Sequence, residues 1–300
     1  MSSLQEGSVK QVGSWRKYLS LVKFSHTIFA MPFALIGFSL AIVKNPVTGR
    51  PWWELLILVV LCMIFARSAA MAFNRWLDAN YDALNPLTAV REIPVGLISP
   101  KNALTFVIVN CLAFILCCYF INMLCFWLSF VALFVILFYS YTKRFTPLCH
   151  LVLGVGLSLA PIGAFLAVTG KFELLPLIFS FTVLFWVSGF DIIYALQDEE
   201  FDKINQLSSI PAMMGKRTAL RISTLLHLLS ALCIISAGFY GQFSIYYWIG
   251  VTVFIGMLIY QHSLVKPNDL TKVNLAFMTA NGIASVIFSL FVMLDLFFKA

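Results

Sequence analysis

Nine long apolar segments follow one another along this 300-residue chain. Each is long enough to cross about 30 Å of hydrocarbon as a helix, whereas a membrane β-barrel would show alternating segments of about 10 residues. Charged residues make up only 11% of the sequence, against about 25% in soluble proteins. The sequence therefore predicts an all-α, multi-pass membrane protein. Its nine spans lie near residues 20–43, 53–78, 102–120, 122–142, 148–168, 174–197, 217–240, 244–264 and 273–298.

The distribution of basic residues orients these spans. If the N-terminus is cytoplasmic, 15 of the 20 Lys and Arg residues fall on the cytoplasmic side or at inner helix ends. Lys44, Arg50, Lys171 and Lys299 fall outside, and Arg67 lies within a span. Because cytoplasmic loops carry the excess of Lys and Arg, we expect a protein of the inner (plasma) membrane with a cytoplasmic N-terminus and an external C-terminus.

Charge and cysteine content narrow the class of protein further. The formal net charge of +7 fits basic cytoplasmic loops beside anionic lipid, so we expect the bilayer as a partner and neither nucleic acid nor an obligate protein partner. The seven cysteines show no C-x-x-C spacing, and we interpret them as small apolar residues. Residues 1–20 lack the apolar core and cleavage site of a removable signal peptide. We expect one domain over 1–300, with a polar cytoplasmic N-terminus at 1–19 and two long inner connections near 83–101 and 199–216.

Seven of the 13 acidic residues lie in two short segments at the inner ends of the second and sixth spans. Residues four apart share one face of a helix, so each segment presents a row of oxygen-bearing side chains. The first segment reads Asn74-Arg-Trp-Leu-Asp78-Ala-Asn-Tyr-Asp82. The second reads Asp191-Ile-Ile-Tyr194-Ala-Leu-Gln-Asp198-Glu-Glu-Phe-Asp202.

The acidic rows predict a metal site. Like charges four residues apart destabilise a helix, and the cost rises where the helix meets the membrane. Mg²⁺ removes this repulsion and prefers oxygen ligands that it shares with water and substrate phosphate. We therefore expect a Mg²⁺–diphosphate site formed by Asn74, Asp78, Asp82, Asp198 and Asp202. The alternative from another class is a cation-coupled secondary transporter, but transporter sites lie near the membrane midplane, whereas these acids lie at helix ends.

At these residues the chain resembles the UbiA superfamily of intramembrane aromatic prenyltransferases. The pattern of that superfamily is N-x-x-x-D-x-x-x-D near the end of the second helix and D-x-x-x-D near the end of the sixth. Both motifs are complete here, and the resemblance extends over nearly all 300 residues. It implies nine transmembrane helices in a horseshoe around a central cavity, with two cytoplasmic helical caps formed by 83–101 and 199–216. It also implies a cavity that opens sideways to lipid and an active site that faces the cytoplasm.

Three further stretches resemble the 4-hydroxybenzoate polyprenyltransferase branch of this superfamily. They are Lys23-Phe-Ser-His26-Thr-Ile-Phe-Ala-Met-Pro32-Phe-Ala, Thr88-Ala-Val-Arg91-Glu-Ile-Pro94-Val-Gly96 and Tyr139-Ser-Tyr141-Thr-Lys143-Arg144-Phe-Thr. One departure is Arg91-Glu-Ile-Pro, because hydroxybenzoate enzymes of ubiquinone biosynthesis usually have R-P-L there. The form found here resembles a subgroup of menaquinone biosynthesis by the futalosine route.

The resemblance implies Mg²⁺-dependent transfer of a polyprenyl group from polyprenyl diphosphate to an aromatic acid, through a new carbon–carbon bond. The expected acceptor is of the 4-hydroxybenzoate type, and a dihydroxynaphthoate of menaquinone biosynthesis is the alternative. Allylic C–O cleavage releases diphosphate, whose charge the metal and basic side chains must stabilise.

Five residues on the cytoplasmic side are candidates for substrate binding. Arg91, Lys143 and Arg144 can pair with diphosphate or with the carboxylate of the acceptor, although positive-inside topology alone also explains Lys143 and Arg144. Lys23 and His26 lie low in the first span, where a cavity-facing role competes with snorkelling for Lys23 and with helix packing for His26.

Asp191 and Tyr194 are the candidate catalytic residues. Asp191 lies deeper in its span than the other acids, and a carboxylate at that depth has reason to be functional. It can orient the phenol of the acceptor or take its proton. Tyr194 can turn its ring toward the allylic cation or serve in ordinary aromatic packing.

Overall fold

The computed structural model describes residues 14–22, 29–45 and 50–298, which are almost entirely helical. Eight of the helices are long and apolar enough to cross a membrane, which confirms the predicted all-α membrane fold. The chain is therefore an integral membrane protein. In order its helices are α1 (Ser14–Leu21), α2 (Met31–Lys44), α3 (Trp52–Leu77), α4 (Ala79–Leu84), α5 (Pro100–Ile121), α6 (Met123–Thr142), α7 (Cys149–Thr169), α8 (Leu174–Ala195), α9 (Glu199–Ile204), α10 (Ile210–Tyr240), α11 (Ile245–Leu264) and α12 (Asn281–Phe298).

The first predicted span corresponds to the short apolar helix α2, which has 14 residues. Residues 23–28 of that span lie outside the described residues, and with them the candidates Lys23 and His26. The other eight predicted spans each coincide with one long helix, and most ends agree within one or two residues. Two starts differ. Helix α10 begins at Ile210, well before the predicted position 217, and a π-helical segment over Leu275–Ala280 precedes α12 in the span predicted from 273.

Close contacts between helices hold this arrangement together. Helix α2 lies between two groups of helices and packs against both α7 and α12. Where α2 meets α7, a Cβ atom on Gly37 would lie 2.0 Å from the carbonyl oxygen of Pro161. Where α8 meets α10, a Cβ atom on Gly189 would lie 2.3 Å from the ring of His227. No side chain fits at either position, so these two glycines permit the observed helix spacing.

The first acidic segment does not form the uninterrupted helical row that its spacing predicts. Helix α3 ends at Leu77, Asp78 has φ −93° and ψ 9°, and α4 begins at the next residue. Backbone hydrogen bonds still join Asp78 N to Asn74 O at 2.9 Å and Asp82 N to Asp78 O at 2.8 Å. The chain therefore bends at Asp78 while the four-residue spacing persists through the bend.

The second acidic segment is interrupted in a similar way. Helix α8 ends at Ala195, a single 3₁₀ turn covers Leu196–Asp198, and α9 follows directly. The second connection then reaches α10, whose N-cap residue Ser209 accepts a hydrogen bond from the backbone N–H of Ala212. Gly215, at φ 77° and ψ 160°, separates the first turn of α10 from its membrane-spanning part.

The first connection differs from the helical cap that the resemblance implies. Its helical part is α4, and residues 85–99 form turns. Pro86 and Pro94 lack the N–H that a helix requires, and Gly96 has φ 75°. The connection is nevertheless anchored, because the Thr88 hydroxyl donates a hydrogen bond to the carbonyl oxygen of Asp82 at 3.0 Å.

Candidate active site

The first acidic segment is held by two of the predicted basic residues. Asn74 Nδ2 donates to Asp78 Oδ2 at 3.0 Å, and Arg144 Nη2 donates to Asp78 Oδ1 at 3.2 Å. Arg91 Nη1 donates to Asp82 Oδ1 at 2.6 Å. Arg91 comes from the first connection and Arg144 from the end of α6, so the segment is enclosed from two directions.

The second acidic segment makes equivalent contacts. Lys143 Nζ lies 2.8 Å from Asp202 Oδ1, and Ser209 Oγ donates to Asp202 Oδ2 at 2.7 Å. Asn85 Nδ2, in the first connection, donates to Asp198 Oδ1 at 3.1 Å. Lys143 and its neighbour Arg144 therefore reach different acidic segments, and the two segments share one site.

Burial and ion pairing set the protonation of the groups at this end of the bundle. Burial raises the pKa of Asp78, and the hydrogen bond and charge of Arg144 oppose this shift. Burial disfavours the charged form of Lys143, but the ion pair with Asp202 outweighs it, so the pKa of Lys143 is raised. The lysine therefore stays charged, as an anion-binding residue must.

Asp82 is the most informative carboxylate. It is only 5% exposed, and burial raises its pKa to about 7, opposed chiefly by the charge of Arg75. Asp82 Oδ2 accepts no hydrogen bond from the described residues, and Arg75 Nη1 lies 3.9 Å from it. Arg75 Nη1 likewise donates to no described group. A cation would satisfy the Asp82 oxygen, whereas Arg75 Nη1 requires a ligand that accepts a hydrogen bond, such as a phosphate oxygen.

The donor set matches a hard divalent cation that binds together with its substrate. Within the described ranges, no three His, Cys, Asp or Glu residues are grouped closely enough to hold a metal by themselves. Mg²⁺ is usually held by one or two carboxylates and completes its shell with water and substrate phosphate. The arrangement of aspartate oxygens, with Asp82 Oδ2 unsatisfied, fits that mode of binding.

An apolar cavity of about 330 Å³ lies among α3, α5, α6 and α7. Its wall begins near the acidic end at Met71 and continues to Phe172, which lies between α7 and α8. Small residues such as Gly163 keep the space open along α7. The cavity thus extends through the bundle from the charged site toward the opposite end.

Arg67 is the one guanidinium group among the residues that line this cavity. Its Nε atom is buried and has no hydrogen-bond partner in the described part of the chain. Tyr139, also in the wall, lies within electrostatic range of Arg67, Asp78 and Asp191. Sequence analysis did not select Arg67 as a site residue, although a lone arginine inside an apolar span is itself a signal of function.

The two candidate catalytic residues lie near the end of α8. Asp191 Oδ2 is 2.7 Å from His150 Nδ1, a contact that the sequence did not predict. The ring of Tyr194 packs on Phe277 at 4.4 Å between centroids, and its hydroxyl lies within electrostatic range of Asp191 and Asp198. Tyr194 therefore combines aromatic packing with a position beside the second acidic segment.

The fold and this site together define a membrane-embedded enzyme class, in which a charged pocket adjoins an apolar cavity. Such a pair of surfaces suits a substrate with an anionic head and a lipid tail. The model of the UbiA prenyltransferase family matches residues 30–283, and the chain therefore belongs to this family of prenyltransferases. The family membership confirms the resemblance seen in the two aspartate motifs and provides no support for a transporter.

Individual relatives agree with this assignment. A 4-hydroxybenzoate octaprenyltransferase of Francisella tularensis subsp. novicida is 29% identical over 240 residues, which cover 80% of this chain and 84% of that protein. The apo structure of a UbiA homologue from Aeropyrum pernix K1 is 26% identical, with a TM-score of 0.77, and the match covers 91% of this chain and 98% of that one. A UbiA homologue from Archaeoglobus fulgidus, solved with DMAPP and Mg²⁺, shares the fold at a TM-score of 0.74 and 19% identity, over 93% of this chain and 99% of that one.

Proposed function

We propose that this prenyltransferase transfers a polyprenyl group from polyprenyl diphosphate to an aromatic acid of the 4-hydroxybenzoate type, in a Mg²⁺-dependent reaction that forms a carbon–carbon bond. The observation that carries this proposal is the meeting of two aspartate segments and their basic partners beside an apolar cavity that contains one arginine. The name of the Francisella relative and the DMAPP and Mg²⁺ bound to the Archaeoglobus homologue support it.

The aspartate segments are the proposed metal–diphosphate site. When bound, Mg²⁺ neutralises the charge that develops on the departing diphosphate. Its proposed ligands are oxygen atoms of Asn74, Asp78, Asp82, Asp198 and Asp202. The unsatisfied Asp82 Oδ2 supports this assignment, because a buried carboxylate oxygen without a partner is costly.

Arg91, Lys143 and Arg144 are assigned to the diphosphate. All three lie within 3.2 Å of an aspartate oxygen, so they stand where a metal–diphosphate complex would bind. Arginine side chains bind phosphate oxygens through two parallel hydrogen bonds. We expect these three residues to stabilise the leaving group after the allylic C–O bond breaks.

The apolar cavity is assigned to the isoprenoid. Its wall is almost wholly hydrocarbon and sulfur, which suits a polyprenyl chain and excludes water from the allylic cation. The ring of Tyr194, at the second acidic segment, can stabilise that cation through its face. The prenyl chain can thus remain within the bilayer throughout the reaction.

Arg67 and Asp191 are assigned to the acceptor. The buried Arg67 has an unsatisfied Nε inside the cavity, and an aromatic carboxylate would supply the missing partner. The ring carbon attacks the allylic carbon, and the C–H bond at that position then breaks. The electron pair returns to the ring, the proton passes to the Asp191 carboxylate, and diphosphate leaves as the other product.

The alternative acceptor, the membrane side of the active site and two further binding candidates are proposed from the sequence. A dihydroxynaphthoate is the alternative acceptor, because Arg91-Glu-Ile-Pro departs from the hydroxybenzoate pattern and either acceptor carries a carboxylate and a phenol. The distribution of basic residues supports an active site on the cytoplasmic face of the inner membrane. Lys23 and His26 stay candidates for substrate binding at the start of the first span.

The test is an assay in membranes that contain the protein. Several polyprenyl diphosphates are supplied together with 4-hydroxybenzoate, a dihydroxynaphthoate or benzoate, and products are identified by mass. We expect a prenylated aromatic acid that retains its carboxylate and requires Mg²⁺. Turnover of the naphthoate alone would establish the alternative acceptor, and the absence of any prenylated aromatic acid would contradict the proposal.

A further inference from the structure

We propose that His150 is a positioning residue, which fixes the orientation of the Asp191 carboxylate for proton transfer from the acceptor. The inference rests on the proposed function, in which Asp191 takes that proton. His150 lies at the start of α7 and is only 3% exposed, so it does not itself reach substrate. It acts on the reaction through Asp191.

The hydrogen bonds of the imidazole ring determine its tautomer. The backbone N–H of Ile210 points at His150 Nε2, with 3.4 Å between the two nitrogens. An N–H group only donates, so Nε2 must accept and carries no proton. Nδ1 therefore carries a proton, which it donates in the hydrogen bond to Asp191 Oδ2 at 2.7 Å.

This contact leaves Asp191 with one committed oxygen and one available oxygen. The side chain of Asp191 retains 24% exposure although His150 beside it is buried. Tyr139 of α6 and Tyr194 of α8 are other titratable groups within electrostatic range of Asp191, and Cys149 lies next to His150. The hydrogen bond from His150 holds Oδ2, so Oδ1 is the oxygen of Asp191 that is left to accept a proton.

The second ring nitrogen links Asp191 to the other end of the site. Ile210 directly follows Ser209, whose hydroxyl donates to Asp202 Oδ2 at 2.7 Å. His150 thus connects Asp191, the proposed proton acceptor on α8, to Ile210 at the start of α10. The N-cap residue Ser209, directly before Ile210, holds Asp202 of the second acidic segment. A purely structural role for His150 would depend on both of its hydrogen bonds, whereas positioning depends on the bond to Asp191.

Two variants separate these roles. In His150→Asn the amide nitrogen can occupy the place of Nδ1 and donate to Asp191, but the acceptor for Ile210 is lost. In His150→Gln the longer side chain can accept from Ile210, but the donor to Asp191 is lost. We expect kcat of the Asn variant within about 3-fold of wild type and a loss of about 10- to 100-fold in the Gln variant. The KM for polyprenyl diphosphate should be unchanged in both.

Unfolding in detergent is measured for both variants, so that a folding defect is not mistaken for a catalytic one. The inference is overturned if the two variants lose kcat equally, or if the Asn variant is the worse of the two. It is also overturned if the loss in the Gln variant falls on the KM for the diphosphate.

A measurement without turnover makes the test independent of the acceptor. ¹⁵N-histidine NMR of the full protein, with His150 assigned by its disappearance in His150→Asn, should show protonated Nδ1 and unprotonated Nε2. Asp191→Asn should shift the Nδ1 resonance. The opposite tautomer, or no response to Asp191→Asn, would refute the inference. If the wild type prenylated no aromatic acid, that result would contradict the proposed function. The NMR spectrum would still show whether His150 donates a hydrogen bond to Asp191.

Discussion

Asn85 Nδ2 donates a hydrogen bond to Asp198 Oδ1 at 3.1 Å, and this contact joins two segments that are 113 residues apart in the sequence. The amide is only 6% exposed, and its oxygen accepts the backbone N–H of Leu87 at 3.0 Å. Both ends of the Asn85 side chain are therefore fixed. The first connection thus holds a carboxylate of the second acidic segment, and the two aspartate motifs depend on each other.

Replacing Asn85 by Leu should impair activity without unfolding the protein. The substitution keeps the side-chain volume but removes the donor to Asp198, whose orientation toward the metal and diphosphate would no longer be fixed. A hydrogen bond to a charged group contributes roughly 1.5–3 kcal/mol, so kcat/KM for polyprenyl diphosphate should fall by about 10- to 150-fold. Initial rates at varied diphosphate and Mg²⁺ concentrations measure the effect.

The matched control is Asn102→Leu, because Asn102 is exposed in the first turn of α5. This variant should retain wild-type kinetics. Equal activity of the Asn85 and Asn102 variants would show that the contact between the two segments does not matter for turnover.

Removal of a carboxylate from the second acidic segment should abolish turnover. We expect this of Asp198→Ala, since the metal–diphosphate complex would lose a ligand. Glu200→Ala changes an exposed acid only two residues away and should leave turnover intact. Chelation of divalent cations should inactivate the wild type, and Mg²⁺ should restore it. Full activity in excess chelator would exclude the proposed metal dependence.

Helix spacing can be tested through stability. Gly37→Ala places a methyl group 2.0 Å from the carbonyl oxygen of Pro161, and overpacking of this kind costs roughly 1–3 kcal/mol. The melting temperature in detergent should therefore fall. Gly256→Ala is the control, because its Cβ meets nothing within 4 Å and α11 gains a better helix former. If the two variants melted alike, the close approach of α2 and α7 would not limit stability.

Topology gives a prediction that needs no activity. The alternating basic loops and the nine spans of the sequence predict that the C-terminus lies on the external side. A reporter that works only outside the cytoplasm should therefore be active when it is fused after Ala300 and inactive when it is fused before Met1. A reporter that works only in the cytoplasm should give the opposite result. A cytoplasmic signal from both fusions would remove one span from the predicted topology.

The helices could be predicted because each span is an uninterrupted apolar stretch of the sequence. The eight long spans needed no tertiary information, and the two aspartate segments were recognisable from four-residue spacing. Spacing alone missed the bend at Asp78, because both sides of the bend keep the same sequence interval. It also missed the turns after Leu84, although Pro86 and Pro94 signalled them.

Pairings across the fold were beyond the reach of the sequence. Lys143 pairs with Asp202, whereas its neighbour Arg144 pairs with Asp78. The sequence does not indicate this difference, because it depends on how α6 ends between the two acidic segments. His150 appeared to be an ordinary residue of an apolar span, and its contact with Asp191 depends on the packing of α7 against α8. Arg67 could have been selected, because an isolated charge within a span is costly unless it has a partner or a ligand.

Arg67 also gives the sharpest test of acceptor binding. Arg67→Met keeps an unbranched side chain in the cavity wall but removes the charge assigned to the acceptor carboxylate. The KM for the aromatic acid should rise by about 10- to 150-fold, while the KM for polyprenyl diphosphate stays within about 3-fold of wild type. Steady-state kinetics with each substrate varied in turn measure both constants.

Arg144→Met is the counterpart, because Arg144 lies 3.2 Å from Asp78 at the charged end of the site. Its loss should fall on the diphosphate, with little change in the KM for the aromatic acid. Opposite patterns in the two variants would separate a carboxylate-binding arginine inside the cavity from a diphosphate-binding arginine at its entrance. A rise in the same KM in both variants would assign both guanidinium groups to one substrate, and the acceptor carboxylate would then require another partner.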